Sequence, residues 1–187
     1  MLLLVPPARA AIPCDGELLR VAYEADTLPE DDPVSPWTPN QSCAEPATAT
    51  VEGGVLTVSA PPNCGVAYDR GEDALARASA FVLEARLWLE SSEPASWISE
   101  GTLGAKDGAK YVTLHFMVFE DTGRRFMRLE TLNAPLAEVD IDWRVPHVYR
   151  LEVVREETAR VFVDGVLVIE RPYQDLEDTH PGEEGFG

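Results

Sequence analysis

The chain lacks any run approaching the roughly 20 consecutive apolar residues that a membrane-spanning helix requires, so no membrane insertion is expected. Basic residues are scarce: 15 Lys and Arg stand against 33 Asp and Glu, a formal charge of -18. That balance excludes partners gripped mainly through phosphates, nucleic acid above all. The carboxylates are spread along the chain rather than gathered in a tail, the distribution of a solvated surface. The three histidines, His115, His147 and His180, show no close ligand spacing, so no zinc site is expected. Neither a Gly-x-Ser-x-Gly nucleophile elbow nor a phosphate-binding glycine loop occurs, which only lowers the expectation of an enzyme. Amphipathic helices are missing too, the Ala-rich residues 72–80 being the best candidate for a short one.

What the chain has instead is period-two alternation. In residues 81–90, Phe81, Leu83, Ala85, Leu87 and Leu89 alternate with Val82, Glu84, Arg86, Trp88 and Glu90. In residues 111–119, Val112, Leu114, Phe116 and Val118 oppose Tyr111, Thr113, His115 and Met117. Residues 126–132 set Met127 and Leu129 against Arg128 and Glu130. Residues 148–154 and 159–164 form two more strands joined through Arg155 to Thr158, and Asp164-Gly165 turns the chain into 166–170. Residues 12–40 are rich in Pro and acidic groups, with one strand expected over 18–23. Short strands with Gly, Pro, Asp and Asn at their junctions predict an all-β sandwich or barrel, and 187 residues suit one domain.

Residues 1–10 resemble the end of a secretory signal: a short apolar run, then Ala8-Arg9-Ala10, a small-x-small cleavage site. A mature domain over 11–187 in a secreted or extracytoplasmic setting follows. The closing run at Gly187 has the look of an entrance to a further strand, so the natural chain is expected to continue. An oxidising compartment suits the cysteines Cys14, Cys43 and Cys64. Glu52-Gly53-Gly54-Val55 predicts a two-residue hairpin turn joining 47–51 to 55–59. If each residue of that hairpin faces the one whose number makes the same sum as 52 and 55, Cys43 faces Cys64 at a position where opposed side chains come closest. A Cys43–Cys64 disulfide is expected, with Cys14 left over. Pro46, Pro61 and Pro62 interrupt the ladder before the cysteines.

The run from Pro146 to Val154, followed by Ala159-Arg-Val-Phe-Val-Asp-Gly-Val-Leu-Val168, resembles the late strands of concanavalin A-like lectin/glucanase and laminin G-like domains. Val51-Glu-Gly-Gly-Val-Leu-Thr-Val58 is similar to their early hairpin, and Phe81-Val-Leu-Glu-Ala-Arg-Leu87 to the strand after it. The resemblance implies an antiparallel two-sheet jelly-roll sandwich whose concave face many relatives use for glycans. Relatives also hold calcium near the sheet edge. Here Asp26, Asp31 and Asp32 with Glu183 are the carboxylates available if the termini meet, although no Asp-x-Asp-x-Asp loop is present.

Two sets of residues carry candidate chemistry. Glu138-Val-Asp-Ile-Asp142 places three carboxylates on one strand face and is similar to the Glu-x-Asp-x-Glu strand of laminarinase- and lichenase-type hydrolases. Carried over, Glu138 is the nucleophile, Asp140 tunes it and Asp142 is the acid/base, for retaining chemistry across about 5 to 5.5 Å. Asp142 is a methylene shorter than the Glu of that pattern, and the His147 strand follows after only Trp143 to Pro146. The other reading of these residues is a solvated acidic connection with Trp143 packed beside it.

The second set is the face opposite the core. Arg86, Trp88, Tyr111, His115, Arg128 and Glu130, with Glu84 and Thr113, mix rings with charged hydrogen-bonding groups. Sugars stack their C–H faces on rings and pair their hydroxyls with carboxylates and guanidinium groups. Trp97 either lines the rim of such a face or plugs the core. Three functions stay open: a module binding a glycan or cell-surface polysaccharide, a glycoside hydrolase, and an adhesion or structural domain without a glycan ligand.

Overall fold

The computed structural model describes residues 23–34, 36–42, 47–61, 64–70, 78–90, 101–119, 122–131 and 136–178. Among them every element longer than a 3-10 turn is a strand, so the chain is all-β with several antiparallel sheets. It divides into two compact units.

The described residues of the first unit run from 23 to 70. They form β1 (Thr38–Gln41), β2 (Thr48–Glu52), β3 (Val55–Ser59) and β4 (Val66–Asp69). The β2–β3 hairpin has the expected register, Glu52 facing Val55 and Thr48 facing Ser59. Its turn needs two residues with positive φ, and Gly53 and Gly54 supply 59° and 76° at no steric cost. Strands β1 and β4, not foreseen, pair with Thr38 facing Asp69 and Gln41 facing Val66.

The second unit, described from 78 to 178, holds β5 (Ala80–Leu87), β6 (Gly101–Lys106), β7 (Lys110–Val118), β8 (Arg125–Leu129), β9 (Ala137–Asp140), β10 (His147–Val154), β11 (Thr158–Val163), β12 (Val166–Pro172) and β13 (Glu177–Asp178). One sheet runs β12-β11-β10-β5. In the other, β8 lies between β7 and β9, β6 flanks the far side of β7, and Tyr111 faces Lys106 across one edge and Glu177 across the other.

Alternation explains how the two sheets meet. Val112, Leu114 and Phe116 of β7, Met127 and Leu129 of β8 and Ala137 of β9 share one core with Tyr149, Leu151 and Val153 of β10 and Ala159 and Val161 of β11. Phe116 meets Tyr149 edge-on, ring centroids 4.8 Å apart, which ties sheet to sheet. Burying a side chain of that size contributes about 1.5–3 kcal/mol. Trp143 is buried in the same core and donates its Nε1–H to the Met117 carbonyl at 3.2 Å. Asp164 and Gly165, with φ 48° and 82°, turn β11 into β12.

The short helix expected over 72–80 does not reach Ala80, which opens β5 because its alternating pattern pairs with β10; residues 71–77 lie outside the described residues. Also outside them are the signal-like residues 1–10, Cys14, most of the strand expected over 18–23, Cys43, the loop with Trp97, His180, Glu183 and the C-terminal run.

Candidate functional site

The residues of β7, β8 and β9 that do not enter the core come together on the outer face of the five-stranded sheet. Cross-strand register sets His115 opposite Arg128 and Arg128 opposite Glu138. Thr102 of β6 faces His115 from the other side, and Lys106 faces Tyr111. Four of the six expected ligand residues, Tyr111, His115, Arg128 and Glu130, therefore share one face. From Tyr111 to Phe119 that face is roughly 26 Å long at 3.3 Å per residue.

The other two do not join them. Arg86 lies on β5, paired with Val148 of β10, and points outward from the opposite sheet. Trp88 follows the end of β5 and donates its indole N–H to Glu90 at 3.2 Å. Glu84 also faces outward there, bonded to Arg150 at 3.2 Å. The correction has a simple cause. Period-two alternation says which residues avoid the core, but not which of two sheets a strand enters, and β5 pairs with β10 rather than β7.

The His115 ring is anchored: its Nε2 lies 2.6 Å from Glu130 Oε2, both groups partly buried. Glu130 in turn donates its backbone N–H to the Thr113 carbonyl at 3.0 Å, continuing the β7–β8 ladder past Leu129. At the near end Lys106 Nζ sits 5.3 Å from the centre of the Tyr111 ring, a cation–π contact.

The far end holds a platform that sequence reasoning missed. Where β7 gives way to β8, Gly123 N–H donates to the Phe119 carbonyl at 2.7 Å and Phe119 N–H to the Arg124 carbonyl at 2.9 Å. Gly123 makes the bend with φ 64°. This stacks the Phe119 ring on Phe126, centroids 4.8 Å apart at 24°, and lays the Arg124 guanidinium 4.9 Å from the Phe126 centre. Phe119 remains 39% exposed. The available signal was alternation itself, since 119 continues 115 and 117, and 124 precedes 126 and 128 by the same step.

Glu138 and Asp140 lie on this same face, on the edge strand β9. One guanidinium holds both: Arg124 Nε is 2.6 Å from Asp140 Oδ1 and its Nη1 is 3.3 Å from Glu138 Oε2. Asp142 follows the strand and is gripped bidentately by Arg144, at 2.8 Å to Oδ1 and 3.0 Å to Oδ2. The Arg144 side chain is the main reason the Asp142 carboxyl is pulled down to about 2. A general acid needs the opposite shift, because it must keep its proton until the leaving group takes it. Arg125, Asp140, Ile141 and Asp142 line an open pocket of about 360 Å³, with Arg125 set 5.5 Å from the Trp143 ring.

Among the described residues no group of three or more His, Cys, Asp or Glu has a geometry that holds a metal ion. Asp32 accepts the Val34 backbone N–H at 2.8 Å, a local turn. No described helix is long and apolar enough to cross a membrane. Compared with known proteins, the chain matches no family description, no curated protein and no solved structure.

Proposed function

We propose that this protein is a binding module of jelly-roll type that takes a carbohydrate on the outer face of its five-stranded sheet. The observation that carries this reading is the gathering of Tyr111, His115, Arg128 and Glu130 on one face, continued at its end by the exposed Phe119 ring. Rings for C–H stacking and fixed donors and acceptors for hydroxyls alternate along it, the mixture a sugar chain needs. The signal-like residues 1–10 and the cysteines support an extracytoplasmic setting for such a ligand.

Catalysis by the acidic strand has less support. Every carboxylate of Glu138, Asp140 and Asp142 is bonded to an arginine, and Asp142 is held ionised. A glycan array on the purified protein, followed by titration of the best ligand into wild type and His115→Ala, tests the proposal. Binding weakened by about tenfold or more in the variant supports it, a loss of that size being typical of a ring and its hydrogen bonds. An array without any bound glycan refutes it and favours an adhesion or structural domain.

A further inference from the structure

Arg128 sits midway along the proposed face with its cross-strand neighbours engaged elsewhere. His115 is bonded to Glu130, and Glu138 is bonded to Arg124. Arg128 Nε is buried from solvent, yet it has no hydrogen-bond partner among the described residues. Arg124 holds two carboxylates. Arg125 Nε also lacks a hydrogen-bond partner among the described residues, but its guanidinium is taken up by the Trp143 ring rather than facing the outer side of the sheet.

A guanidinium carries a fixed charge and five donors in a planar fork that matches a carboxylate in two-point contact. In a chain of charge -18, carboxylates are abundant, and the nearest one in register, Glu138, is drawn off by Arg124. Among the described residues nothing then engages the Arg128 Nε, which leaves the fork for a group from outside them.

We infer that Arg128 is the receptor for a carboxylate carried by the glycan, so that the ligand is an acidic sugar of the uronic acid class. This rests on the glycan reading above and narrows it. The strong negative charge of the whole chain opposes a densely charged polyanion, so the acidic sugar is a single or terminal residue rather than one of a continuous run. The His115 ring and the Glu130 carboxylate beside Arg128 then take the hydroxyls of the same sugar ring.

The test compares two probes that differ at one carbon: a glucuronate-terminated oligosaccharide and its carboxyl-reduced, glucose-terminated counterpart. Calorimetric titration of the wild-type chain is expected to show the acidic probe bound tighter by on the order of tenfold. Arg128→Lys, which keeps the charge and loses the fork, is expected to erase most of that preference. Arg160→Lys, on the opposite sheet, is expected to keep it. Equal affinity of the wild type for both probes overturns the inference and leaves the glycan reading standing. Binding of neither probe nor any array glycan overturns both. A preference that survives Arg128→Lys overturns the assignment to Arg128, and preferential binding of a peptide with a free C-terminal carboxylate overturns the sugar class. The comparison of probes on the wild type does not depend on how any variant folds.

Discussion

Ser42 and Gly65 hold each other by two hydrogen bonds, Ser42 N–H to the Gly65 carbonyl at 3.0 Å and Gly65 N–H to Ser42 Oγ at 3.1 Å. They continue the register of β1 and β4, which is also the register of β2 and β3, because in both ladders the paired residue numbers make one constant sum. Beyond Ser42, the Gln41 side chain reaches across to accept the Ala47 N–H at 3.2 Å.

The same count, carried one residue on from Ser42 and Gly65, predicts the Cys43–Cys64 bridge expected from the hairpin, although Cys43 itself lies outside the described residues. A peptide map under non-reducing conditions is expected to contain a Cys43–Cys64 cross-linked pair that disappears on reduction. Cross-linking a loop of this length stabilises by about 3 kcal/mol, so reduction is expected to lower the denaturation midpoint. A map that links Cys14 to either residue contradicts the assignment.

Asp107 is 1% exposed and closes the β6–β7 hairpin by accepting the N–H groups of Ala109 and Lys110 at 2.9 and 2.8 Å. Tyr173 donates its hydroxyl to the other carboxylate oxygen at 2.6 Å, and Arg155 Nε stands 3.5 Å away. Burial alone pushes the Asp107 carboxyl up, but these donors and the Arg155 charge bring it below its ordinary value. A folded value below the unfolded one, about 3.9, stabilises the fold above that pH, and the contribution fades as pH falls through the lowered value. Asp107→Asn is expected to cost about 2–4 kcal/mol in urea unfolding at neutral pH and to flatten the loss of stability below about pH 4. An unchanged acid limb contradicts this role.

Tyr149 makes the opposite prediction. Its ring is fully buried against Phe116, yet its hydroxyl has no hydrogen-bond partner among the described residues, and burial pushes the phenol well above its usual range. Tyr149→Phe removes an unsatisfied donor and keeps the ring. Stability is expected to hold or to rise by about 1 kcal/mol, measured by chemical denaturation. A loss of more than that contradicts an unpaired hydroxyl.

The acidic strand is expected to be catalytically silent. With Asp142 held down to about 2 by Arg144, the release of reducing ends from laminarin and lichenan is expected to stay at background at acid and neutral pH. Release that Glu138→Gln abolishes contradicts this.

Much of the fold was legible because period two is a local signal. Tyr111, Thr113, His115 and Met117 oppose Val112, Leu114 and Phe116 by alternation alone, and Gly53-Gly54 and Asp164-Gly165 mark turns by their positive φ. What alternation omits is the sheet to which a strand belongs. Strand β5 pairs with β10, more than sixty positions on in the pairing of Glu84 with Arg150, and nothing local encodes that choice. Arg86 and Trp88 were therefore grouped with residues of the other sheet. The same gap hid the pairing of β8 with β9, which carries Glu138 and Asp140 onto the His115 face. Short strands such as β1, β6 and β13 are polar or Gly-bearing and owe their form to their neighbours rather than to propensity.

The central claim is the location of the glycan, and chemical-shift mapping tests it most directly. The best-bound array glycan is titrated into isotope-labelled protein, and perturbed amides are placed on the two sheets. Shifts centred on His115, Arg128 and Glu130, with Glu84 and Arg86 unmoved, are the predicted result. Shifts centred on Glu84 and Arg86, or confined to residues outside both sheets, contradict it.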